Sequence, residues 1–143
     1  MPLKAACILL LAAVCTLPVR GQSRHYNIVM ANGNVDTCGY AVDAINTSVK
    51  TIPFPNEWKF VVACDEAAWE DMNKHIPMLR DTHHALTNVE AHFTIVRGEM
   101  FRRDIDGFHA RHILIHEYAH VLNNSPDEGK AIKKTTELEK KGM

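Results

Sequence analysis

The chain has no surplus of basic charge and no long basic run. Its 143 residues carry 16 lysines and arginines against 17 aspartates and glutamates. Nucleic acid is met by clustered positive charge, so it is not an expected partner. A run long enough for a bilayer is also missing. The longest apolar stretch, Ala5 to Leu17, falls short of the about 18 residues of a spanning helix, which excludes a membrane anchor. Cysteine is scarce, 4 in all, and no two stand as Cys-x-x-Cys, so thiolate zinc sites are disfavoured. No internal repeat or low-complexity segment is present, which excludes a solenoid or a fibrous array.

What is there begins with a leader. Lys4 is a short positive region before the apolar stretch, and Val19-Arg20-Gly21 suits cleavage after Gly21. The expectation is a signal peptide over 1–21 and a secreted, extracellular, monomeric protein over 22–143, one domain with one modest core. Removing Lys4 and Arg20 leaves 14 basic against 17 acidic residues, a net charge near −3. Cys7 and Cys15 leave with the leader. Cys38 and Cys64 then most simply form one disulfide, two buried thiols being the alternative.

The chemistry concentrates in Arg111 to Leu122, which contains His116-Glu117-Tyr118-Ala119-His120. Residues four apart lie on one face of an α-helix, so His116 and His120 can offer two imidazole nitrogens to one metal ion. Glu117 directly follows the first ligand and can hydrogen-bond a water there. Zinc lowers the pKa of such a water, and a carboxylate can take its proton as it attacks a carbonyl. Ile113, Leu114, Ile115, Val121 and Leu122 make the flanks apolar, as a buried central helix requires. The bland alternative is a core helix whose histidines only hydrogen-bond, and it has no need of the glutamate. His112 extends the stripe by one turn, but only His116 and His120 enclose a glutamate. His83, His84, His92 and His109 lack ligand spacing and read as surface or loop residues.

The remaining chain reads as alternating strands and helices. Arg24 to Ala31 alternates as a strand, and Asn32-Gly33 marks a turn. Asp36 or Thr37 can cap a helix through about Lys50, which carries the glycosylation sequon Asn46-Thr47-Ser48. Lys59 to Cys64 is a continuous apolar strand, central in a sheet. Asp65 caps a helix to about His75, with Trp69 in its core stripe. His84 to Glu90 and His92 to Phe101 pair as two strands joined by a tight turn. Asp106 can cap the histidine helix, and Asn123-Asn124 ends it. Ser125, with Pro126 next and Glu128 three later, has the form of a capping box for a last helix to about Lys140.

At Arg111 to about Ala131 the chain resembles the zincin metallopeptidases. The resemblance implies a compact α+β domain: a small mixed sheet packed with helices, and a His-Glu-x-x-His helix followed by a C-terminal helix. It also implies one Zn2+, a protein or peptide substrate, and peptide-bond hydrolysis with Glu117 as general base. By the same resemblance, Phe93 to Phe101 is the sheet edge that borders the cleft and takes extended substrate by strand addition. A catalytic zinc has three protein ligands. Metzincins put Gly three and His six residues after the second His; Asn123 and Pro126 stand there, so that pattern fails. Glu128 with Ala131 resembles the gluzincin arrangement at a shorter separation, and makes Glu128 the favoured third ligand. Asp127 is the reserve, followed by Glu137, Glu139 or His112. The rival reading is a zincin-like secreted effector or binding module that cleaves nothing.

Overall fold

In the computed structural model, residues 24–82, 84–102 and 110–143 are described. The leader, the cap Asp106, His83 and His109 lie outside them. Four strands and four helices are described, β1 (Asn27–Ala31), α1 (Val35–Ser48), β2 (Lys59–Ala63), α2 (Glu66–His75), β3 (Ala85–Asn88), β4 (Phe93–Arg97), α3 (Ala110–Asn123) and α4 (Glu128–Lys140). The domain is α+β with a mixed sheet of order β1-β2-β4-β3. β1 and β4 run parallel to β2, and β3 runs antiparallel to β4.

Alternation along the central strands sorts the core into two layers. Phe60, Val62 and Val96 face the larger one, built with Ala41 and Ile45 of α1, Ile113 to Ile115 of α3 and Ala131 and Leu138 of α4. Ala63 and Ile95 face the other side, where they pack on Ala68 and Trp69 of α2 and on Leu79. β2 and β4 therefore have both faces covered, and both read as near-continuous apolar runs. Trp69 is a core residue, 3% exposed.

Several local expectations change. Asn34, not Asp36 or Thr37, caps α1: its side chain accepts from the Asp36 and Thr37 amides, and the Thr37 hydroxyl accepts from the Asn34 amide. An Asn two residues earlier does the same job, because the turn places it at the helix mouth. The strand expected to run to Phe101 stops at Arg97, and Gly98–Phe101 forms a 3-10 turn. The sheet edge beside α3 is β3, not Phe93 to Phe101. The chain leaves β2 through α2, skips one place in the sheet to lay down β3, and returns by the hairpin to seat β4 in the gap. Asp65 caps α2 as expected, its Oδ1 accepting from the Ala68 amide at 2.8 Å. Asn46 lies exposed in α1, so the sequon faces solvent.

Cys38 of α1 and Cys64 at the end of β2 form a disulfide, with Cα atoms 5.3 Å apart. Gly33 passes over it. A Cβ there would lie 2.5 Å from Cys64 Cβ, so any side chain forces the turn away. The bridge spans a sequence separation of 26, which in the loop-entropy account stabilises the fold by about 3–4 kcal/mol. We expect denatured, non-reduced protein to label no thiol over residues 24–143, and a Cys38→Ala/Cys64→Ala variant to lose about that much stability in urea titration. Two labelled thiols would contradict the bridge.

Candidate metal centre

The site is built where α3 turns back into α4. Asn124 takes a left-handed conformation, φ 46°, and its amide donates to Val121 O at 3.1 Å. Asparagine tolerates that conformation, and the Ser125 amide then donates to His120 O at 3.2 Å. Four residues on, α4 begins packed along α3.

α4 does not begin with a capping box on Ser125. Asp127 is the cap, its Oδ1 accepting from the Lys130 amide at 2.8 Å, and Pro126 stays outside the helix. This settles the contest between the two carboxylates. Asp127 is committed to the helix end, while Glu128, the first helical residue, points back over α3. Glu128 Oε2 lies 3.0 Å from His116 Nε2, and its Oε1 lies 3.4 Å from His120 Nε2. One donor atom each from His116, His120 and Glu128 lies within 4.8 Å of the others. Ligands around a tetrahedral zinc at about 2.0–2.1 Å sit about 3.3 Å apart, close to both carboxylate–imidazole distances. These three residues can hold a metal ion.

Both imidazoles are oriented from behind. His120 is buried, and its Nδ1–H donates to Ser125 O at 2.9 Å. Thr135 donates its hydroxyl hydrogen to Ala131 O at 2.8 Å, which leaves Oγ1 to accept from His116 Nδ1–H at 3.4 Å. Fixing the proton on Nδ1 leaves each Nε2 lone pair for a ligand. Burial holds His116 below the ordinary imidazole value, against the opposing pull of Glu128. His112 is not part of the cluster: its Nδ1 lies 2.6 Å from Glu139 Oε1, further along the two helices.

Glu117 points away from the helix pair toward the sheet. It is 4% exposed, and its Oε2 has no hydrogen-bond partner among the described residues. Burial pushes its carboxyl up to about 8, while the Thr87 hydroxyl of β3 opposes that shift by hydrogen bonding to it. A cation bound at the neighbouring imidazoles favours the ionised form, as any nearby positive charge does. A buried carboxyl with an open oxygen beside three convergent ligand atoms is the arrangement that fits a metal ion.

Sequence reasoning brought His116, His120, Glu117 and Glu128 together. It missed Thr135, although helical spacing from Ala131 to Thr135 to Leu138 marks the buried stripe of α4. It also missed Thr87, since a threonine in a strand carries no mark of what it faces.

Two measurements check the centre. Glu128→Gln is expected to weaken zinc binding, in competition with a chelator, by more than the about 10–100-fold that losing an outer partner costs, whereas Asp127→Asn preserves the cap and leaves affinity unchanged. Equal affinity in Glu128→Gln would remove it from the ligand set. In metal-free protein, Glu117 has its folded value near 8 against an ordinary 4.5. Its contribution to stability is then full below about 4.5 and is lost as pH rises toward 8. Urea titrations at pH 5 and pH 8 should show wild type losing stability relative to Glu117→Gln over that interval; a pH-independent difference would contradict the buried carboxyl. No protein-family model, curated protein or solved structure matches this chain, so its site is read from its own geometry.

Proposed function

We propose that the protein is a secreted zinc metallopeptidase, a small zincin-like enzyme that hydrolyses peptide bonds. The observation that carries this reading is the buried Glu117 Oε2 without a partner, next to the convergent His116, His120 and Glu128. A site serving only to hold a metal ion has no use for a buried carboxyl aimed past its ligands. The donor set of two imidazoles and one carboxylate matches catalytic zinc sites that keep a position open. When bound, zinc supplies Lewis acidity: it polarises a peptide carbonyl and makes an adjacent water acidic near neutral pH.

The chain's own residues supply the rest. His116 and His120 present fixed Nε2 lone pairs. Glu117 takes the proton of the attacking water at Oε2 and delivers it to the leaving amine nitrogen. Room for a substrate lies beside these groups. A cavity of about 380 Å³ is lined by Met78, Thr87, Asn88, Val89, Asn124 and Ser125, among others. It runs along β3, whose outer edge pairs with no strand among the described residues. Backbone groups on such an edge can take an extended peptide as an added strand.

Glu117→Ala is expected to abolish cleavage of a peptide library while zinc content stays at one ion per chain, because the carboxylate serves the water and not the metal. Near wild-type cleavage in that variant contradicts the mechanism. Wild-type protein that binds zinc and cleaves nothing favours a non-catalytic binding module.

A further inference from the structure

Behind Glu117, on the side away from the metal ligands, three side chains form a buried polar line through an otherwise apolar core. Trp58 Nε1 donates to Thr94 Oγ1 at 3.0 Å. Thr94 Oγ1 lies 2.7 Å from Thr87 Oγ1. Thr87 in turn bonds the Glu117 carboxyl. Trp58 and Thr94 are fully buried and Thr87 is 5% exposed. The two threonines face each other across the β3–β4 ladder, in register.

The chemistry of these groups gives the line a direction. An indole N–H donates and cannot accept. Thr94 therefore accepts from Trp58, and its one hydrogen is left for Thr87. Thr87 then accepts from Thr94, and its own hydrogen is left for Glu117. The reverse order spends the Thr87 hydrogen on Thr94 and leaves a buried carboxyl with no donor, an arrangement that costs about 1–3 kcal/mol or more. A chain that starts on a donor-only group can end only on an acceptor. The starting group is itself fixed: the Trp58 ring stacks on His92, with centroids 5.5 Å apart and planes at 23°, and leans on Phe54 at 5.7 Å.

We propose that Trp58, Thr94 and Thr87 are positioning residues, a directed hydrogen-bond chain that grips one side of the Glu117 carboxylate and aims its other oxygen at the metal-facing side of the cleft. The positioning role rests on the hydrolase reading above; the chain itself does not. With one oxygen held through the sheet, Oε2 can neither rotate away nor fold back onto the floor of the core. The apolar surroundings strengthen each bond of the chain, and each bond polarises the next. Thr87 also lines the cavity beside β3, so the last link of the chain sits where substrate would lie.

The test reads the chain first without reference to activity. In zinc-loaded protein, the Trp58 indole N–H resonance, assigned with Trp69→Phe, is expected to move in Glu117→Ala and in Thr87→Val. It stays in place in Thr87→Ser, which keeps the hydroxyl, and in Lys130→Ala on the exposed side of α4. An unmoved resonance in both Glu117→Ala and Thr87→Val overturns the chain. The second reading is kinetic. Thr87→Val should lower kcat by about 10–100-fold, the usual loss for an orienting partner, with KM and zinc affinity unchanged, and Thr87→Ser should restore most of it. The Trp58→Phe/Thr94→Val variant removes a donor and its acceptor together, so no buried group is orphaned and the fold survives. It should lose kcat to a similar extent. Full kcat in Thr87→Val and in the double variant overturns the positioning role. Wild-type protein that cleaves no peptide overturns the hydrolase reading and the positioning role with it, while the resonance still decides the chain.

Discussion

A helix that carries two imidazoles and a carboxyl through an apolar core must find a partner for every buried polar atom, and most of this structure answers to that requirement. α3 is flanked by Ile113, Leu114, Ile115 and Ala119, all buried. Water cannot serve the polar atoms between them, and each left unpaired would cost about 1–3 kcal/mol or more. Three neighbours share the task. The loop after α3 gives the Ser125 carbonyl to His120, α4 gives Thr135 to His116, and the sheet gives Thr87 to Glu117. What stays open is the set that faces a metal ion.

That division explains features of the fold that packing alone would not favour. Thr87 and Thr94 lie on the sheet face that meets the larger core, where valines of the same shape would pack without any hydrogen-bond demand. Trp58 is fully buried with its one polar atom turned onto Thr94 rather than toward solvent. Local consistency is given up at a site and recovered elsewhere. Here the recovery lies in the aromatic cluster of Phe54, Trp58, Phe60 and Tyr118, in the Cys38–Cys64 bridge, and in the Arg111 Nη1 to Thr51 Oγ1 bond that ties the start of α3 to the loop after α1.

The parts of the site governed by local chemistry were legible in the sequence. The four-residue spacing of His116 and His120, the glutamate between them, and the helix break at Asn123-Asn124 all follow from backbone geometry. Glu128 was legible as a carboxylate in the first turn of the next helix, but its freedom was not. That depended on Asp127 and not Ser125 capping α4, a choice between two good capping residues two positions apart. The sheet was read strand by strand with fair bounds, yet its edge was misplaced, because the order of strands depends on crossovers and not on the strands' own residues. Thr87, Thr94 and Trp58 were invisible for the same reason: their meaning lies in a cross-strand register that links positions 36 and 7 residues apart in sequence.

The account stands on one claim, that His116, His120 and Glu128 bind a single zinc ion. Zinc-edge X-ray absorption of the protein loaded with one equivalent tests it most directly. The prediction is two imidazole nitrogens with the remaining ligands oxygen, at about 2.0–2.1 Å, and no sulfur. A sulfur shell near 2.3 Å, or fewer than two imidazoles at the metal, would contradict it.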